Sequence, residues 1–127
     1  MMTKADEVKY KAFLKNILHD LHCKSFQNIL EYVDYSKFPD LLVFLQEDLE
    51  EALEEYDAID EYGTSVDGLD DDARTNIIEY SGNKGFAVDY MISADSELLG
   101  LMLQLEFEED INADSGLRCI FVGIDYS

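Results

Sequence analysis

His19, His22 and Cys23 crowd the stretch "HDLHC", and imidazole and thiolate are the side chains that hold zinc. His19 and Cys23 lie four apart and share a face if the segment is helical. A structural zinc site needs further ligands, however, and the only other cysteine is Cys119, far along the chain. Two acidic loops, "DGLDDD" and "DINADSG", suggest calcium. The second offers Asp110, Asn112 and Asp114, but Ser115 stands where the sharp turn of a calcium loop requires glycine, and Phe121 stands where a bidentate Glu should close the shell. The first loop lacks the alternate-position spacing. No phosphate-binding loop, dinucleotide fingerprint or nucleophile elbow occurs. Carboxylates are too numerous for any pair to stand out as acid and base. The sequence therefore predicts no catalytic residue, no metal and no cofactor, and hence a protein that is not an enzyme.

What the residues do offer is charge. The 127 residues carry a formal net charge of −20, well beyond the ~2–8 that keeps a small domain soluble. Residues 1–24 are mildly basic, with lysines at 4, 9, 11, 15 and 24. No Lys or Arg occurs between Phe38 and Ala73. Within that gap, "EDLEEALEEYDAIDEY" (47–62) holds nine carboxylates. Such a surface repels nucleic acid and anionic lipid, so direct binding to either is excluded as an expectation.

The elements that position these residues follow from periodicity. Hydrophobic residues make up 47% of the chain, enough for one core, and a single domain over 1–127 is expected. Thr3 and Asp6 form a capping-box pattern. Tyr10, Phe13, Leu14, Ile17, Leu18 and Leu21 then repeat at helical spacing, predicting a helix over about 3–23. A second helix is expected at about 25–33. A third is expected at about 39–62, where Leu42, Leu45, Leu49, Ala52, Tyr56 and Ile59 recur at intervals of three and four. The remainder alternates with period two between turn residues, predicting strands at about 75–81, 86–92, 98–109 and 117–125. Residues 96–105 also admit a helix, but the alternation of Leu101, Leu103, Leu105 and Phe107 with polar residues and Met102 favours a strand. The predicted class is α+β: N-terminal helices packed on a four-stranded antiparallel meander. No apolar run is long enough to span a bilayer. The charged N-terminus lacks a secretory h-region, and the two distant cysteines do not resemble a disulfide framework, so a cytoplasmic protein is expected.

On a helix over 39–62, Glu47, Glu50, Glu51, Glu54, Asp57 and Glu61 fall on one side. Solvated helix faces usually intersperse Lys with Glu. Here Glu47/Glu51, Glu50/Glu54, Glu51/Glu55 and Asp57/Glu61 are like-charge pairs that together cost about 1–2 kcal/mol. From 47 to 61 such a helix rises ~21 Å. Six carboxylates over that length approach the ~3.4 Å phosphate spacing of one DNA strand. Asp70, Asp71 and Asp72 in the following loop are candidates to extend the field, and exposed tyrosines among Tyr32, Tyr35, Tyr56 and Tyr62 to anchor an interface.

In composition the chain resembles the small, very acidic inhibitors of restriction and CRISPR enzymes that phages and mobile elements encode, which imitate DNA. That resemblance implies an inhibitor, monomeric or homodimeric, which occupies a basic nucleic-acid-binding site on a host defence or DNA-handling protein. Two alternatives use the same physics: an immunity protein neutralising a basic toxin such as a nuclease, and an acidic escort of a basic client.

Overall fold

A computed structural model describes residues 2–83 and 85–126. The chain begins with α1 (Lys4–His22). Its capping box closes as expected: Asp6 N–H donates to Thr3 Oγ1 at 3.1 Å, and Thr3 N–H donates to Asp6 Oδ2 at 3.2 Å. Tyr10, Leu14, Ile17, Leu18 and Leu21 are buried along one stripe. Tyr10 meets Phe86 edge-on at 6.0 Å and Phe13 lies 5.7 Å from Phe107, so the helix seats on the sheet through aromatic contacts.

The second helix is shorter than expected. α2 covers only Phe26–Ile29, and Val33–Asp34 leaves it to become strand β1. Val33 pairs with Cys119 and Asp34 with Ile120 in parallel register, adding one strand to the antiparallel meander. The β-branched Val33 buries its side chain in that position, 6% exposed, and the edge of the last strand gains hydrogen-bond partners.

The third helix also differs. α3 (Leu41–Val43), a π-helical segment (Phe44–Leu49) and α4 (Glu50–Ala52) run on as one helical stretch that stops ten residues short of Tyr62. The buried residues are Leu41, Leu45, Leu49 and Leu53, while Leu42 is only half-buried and Ala52 is exposed. Four leucines at strict intervals of four drift around a 3.6-residue helix; the wider π turn keeps them facing the core. Beyond Leu53, which has left the helical region at φ −100°, ψ 14°, the backbone finds acceptors on the sheet. Asp57 N–H donates to Asp95 Oδ2 and Asp60 N–H to Ser93 O, both at 2.9 Å. Ile59 bridges Ala94 and is buried. Past the turn at 53–55, tertiary hydrogen bonds replace the helical ones.

The meander follows as β2 (Thr75–Glu79), β3 (Phe86–Ala94), β4 (Glu97–Glu109) and β5 (Leu117–Tyr126). The sheet order is β1-β5-β4-β3-β2. Thus β2 is an edge strand that pairs only with β3, and it leaves Ile78 48% exposed. The ambiguous region 96–105 is strand, with Leu101, Leu103, Leu105 and Phe107 buried as the alternation requires. Asp95 and Ser96 join β3 to β4 with φ of 50° and 64°, a two-residue connection of the kind that suits twisted strands. The β2–β3 connection includes Lys84, which lies outside the described residues. Beside it, Gly85 has φ 115°, and a Cβ there would stand 2.1 Å from the Phe107 carbonyl oxygen. A register shift between Ile92 and Ser93 buries three consecutive residues, Ile92, Ser93 and Ala94, and so turns a serine hydroxyl inward. No helix among the described residues is long and apolar enough to cross a membrane.

Candidate acidic interface

The shortened helix changes the geometry of the expected anionic rod. Glu47 lies on the π segment and Glu50 and Glu51 on α4, so the helical part spans at most ~6 Å between 47 and 51 rather than ~21 Å. Glu54 sits in the turn that follows, and Asp57 in the extended passage toward the sheet. The row is therefore divided between a helix end and the turn and extended passage that follow it.

The nine predicted interface residues divide in two. Glu47, Glu50, Glu51, Glu54 and Asp57 are exposed, and among the described residues none of their carboxylates forms an ion pair. Asp48 and Glu55 share that state. The other four are engaged within the molecule. Glu61 bonds His19 Nδ1 at 2.5 Å, which holds its carboxyl below the ordinary range, with His22 and Lys15 adding to the effect. Asp70 accepts from Ala73 N–H at 2.9 Å, shaping its own loop. Asp71 accepts from the Tyr90 hydroxyl at 2.6 Å. Asp72 pairs with Lys11 Nζ at 3.2 Å, and the same ammonium pairs with Glu7 at 2.8 Å. Those two partners raise the Lys11 pKa, Glu7 through the larger effect.

Asp71 belongs to a buried network that sequence reasoning missed. Arg74, the first base after Lys37, is 1% exposed. Its Nη1 donates to Thr64 O at 3.3 Å and to Ser93 Oγ at 3.2 Å, and its Nη2 donates to the Tyr90 hydroxyl. Its Cζ lies 4.8 Å from the Tyr90 ring centroid, a cation–π distance. Ser93 Oγ in turn donates to Asp60 Oδ2 at 2.8 Å. The charge is thus matched at one remove, through two hydroxyls, by Asp60 and Asp71. The only sequence signal was a lone arginine ending a long acidic stretch.

Two further bases are held in ion pairs. Lys37 bonds Glu106, and Arg118 bonds Glu108 at 2.5 Å. Of the four candidate anchor tyrosines, Tyr35 is exposed at 39%, while Tyr32, Tyr56 and Tyr62 pack against the core. A cavity of about 330 Å³ beside the N-terminus carries Asp6, Glu79 and Glu109. Asp6 caps α1 and Glu79 accepts from Met2 N–H, so two of its three carboxylates are already committed to structure. No group of three or more His, Cys, Asp or Glu among the described residues is placed to hold a metal ion. Comparison with protein-family models, with curated proteins and with solved structures returned no match.

Proposed function

We propose that this chain is an acidic, non-enzymatic inhibitor whose 47–57 segment occupies a basic nucleic-acid-binding site on a partner protein of host defence or DNA handling. One contrast carries this reading. The molecule pairs carboxylates internally around Lys11, Lys37 and Arg118, yet leaves Glu47, Asp48, Glu50, Glu51, Glu54, Glu55 and Asp57 exposed and unpaired. Mutual repulsion there opposes folding, and a cationic partner relieves it. Steering by the net charge of −20 speeds encounter, and nucleic acid is then shut out by competition. Two free cysteines, one of them buried, fit a reducing cytoplasm.

The break of the acidic row where the helix ends, at Ala52, favours a second reading, an immunity protein for a basic toxin such as a nuclease. An irregular set of charges suits a cleft on one particular toxin, whereas a duplex mimic needs a continuous track. Gene neighbourhood separates the two, since a toxin gene beside this one favours immunity.

Both readings are tested by capture of a partner from host lysate on immobilised protein, with DNA as competitor and salt as a variable. Binding is expected to weaken steeply with salt and to yield to DNA. The Glu50→Lys/Glu54→Lys double variant, altered at two exposed and unpaired positions, is expected to keep the fold and bind at least about tenfold more weakly, because like charges then face each other. Undiminished affinity in that variant would refute the assignment of the 47–57 surface.

A further inference from the structure

Cys23, His19 and Glu61 come together in an order that the acidic surface does not explain. Cys23 caps the end of α1 and its N–H donates to His19 O at 2.9 Å, which fixes the thiol one turn beyond the imidazole. Cys23 Sγ lies 3.7 Å from His19 Nε2, within hydrogen-bond reach for sulfur. The other ring nitrogen, Nδ1, lies 2.5 Å from Glu61 Oε1. A carboxylate only accepts, so Nδ1 carries a proton, and in the neutral tautomer this leaves the Nε2 lone pair facing the thiol. A nucleophile within reach of a base that is itself held by a third group is the arrangement that activates thiols.

Glu61 reaches His19 because the chain around it is held on both sides. His22 Nδ1 donates to Ile59 O at 2.7 Å, tying the segment to α1. Asp60 N–H donates to Ser93 O at 2.9 Å, tying it to β3. The site is open: Cys23 is exposed, and the side chains of His19 and Glu61 are 61% and 47% exposed. Openness selects the chemistry. A small disulfide reaches an exposed thiol without any movement of the fold.

We propose that Cys23 is a covalent modification site for small disulfides, with His19 as its proton acceptor and Glu61 as the residue that positions His19. The Sγ–H proton passes to His19 Nε2, and the thiolate attacks one sulfur of a disulfide R–S–S–R. The Cys23–S–S–R bond forms as the R–S–S–R bond breaks. The departing thiolate takes the proton from the imidazolium and leaves as RSH, so the Cys23 sulfur is oxidised and the leaving sulfur reduced. Cys119 supplies an internal control. It is 1% exposed, and burial pushes its thiol pKa well up, so it stays silent in the folded protein.

The test uses the folded full chain and dipyridyl disulfide, a neutral reagent that the negative surface does not repel, followed by release of thiopyridone. One equivalent is expected to react, mapped to Cys23 by mass spectrometry. His19→Gln is expected to slow the reaction about tenfold or more at pH 7, with free imidazole in solution recovering part of the rate. Glu61→Leu is expected to slow it as well, while Glu61→Gln, whose amide oxygen still accepts from Nδ1–H, retains more. Circular dichroism checks that each variant is folded. Equal rates in wild type and His19→Gln, or equal labelling of Cys119 in the folded chain, would overturn the proposal.

Discussion

Replacing Arg74 tests whether a charge or a shape holds the 60–75 passage to the sheet. The guanidinium makes three hydrogen bonds, to Thr64 O, Ser93 Oγ and the Tyr90 hydroxyl, and stacks on the Tyr90 ring. At about 1.5 kcal/mol each, the hydrogen bonds supply roughly 4–5 kcal/mol. Against this stand the desolvation of a side chain 1% exposed and a buried Nε without a partner, together about 3–4 kcal/mol. Arg74→Met keeps the apolar stem and removes both sides of that balance. The two hydroxyls keep acceptors in Asp71 and Asp60. The expected loss is therefore only about 1 kcal/mol. Arg74→Ala also empties the stem's volume and should cost about 3–4 kcal/mol. Arg74→Lys retains the charge but replaces the planar fork with a strongly hydrated ammonium that cannot reach all three acceptors, so it should cost more than methionine. Urea unfolding at pH 7, with slopes compared to confirm that the unfolded states match, gives the order directly. Lysine tolerated better than methionine would refute the reasoning, because it would mean that charge pairing with Asp60 and Asp71 is what stabilises the passage.

Glu106 is held below its ordinary pKa by Lys37 first and by the Tyr80 hydroxyl second. Its contribution is thus present above the unfolded carboxylate range and is lost as pH falls through the lowered folded value. Glu106→Gln should be less stable than wild type at neutral pH, and the gap should close on acidification in urea titrations at several pH values. Gly85→Ala meets both a positive φ and the Phe107 carbonyl oxygen at 2.1 Å, whereas Gly68, at φ 78°, has open space around it. Gly85→Ala should therefore destabilise by clearly more than the ~1–2 kcal/mol expected of Gly68→Ala, as read from unfolding midpoints. Ser96→Gly should stabilise by up to about 1 kcal/mol, since Ser96 sits at φ 64° where glycine pays no steric cost. Its N–H bond to Asp60 is retained, and a raised melting temperature is the readout.

The parts legible in the sequence were those decided locally. The α1 capping box and apolar stripe needed only residues one or two turns apart, and the four strands of the meander declared themselves by alternation between turn residues. The third helix is shorter than its sequence implies, because both its apolar spacing and its glutamates agree with a helix through Tyr62. What ends it is an acceptor at Asp95 and another at Ser93, far along the chain. β1 was invisible because two residues carry no period. In the same way, the abundance of acid was plain, but its division into paired and unpaired groups was not. Lys11 with Asp72, and His19 with Glu61, meet only after the chain has folded.

The unguarded rim of β2 has a consequence for how the protein behaves in concentrated solution. Ile78 and Tyr80 are exposed along it, and the strand itself ends in a single acid, Glu79. Such a border invites another copy to extend the sheet. The net charge of −20 opposes such an approach by long-range repulsion, which fades as pH nears the isoelectric point of about 4.1 that the sequence gives. Colloidal protection is therefore global in origin, and acidification withdraws it from every surface at once.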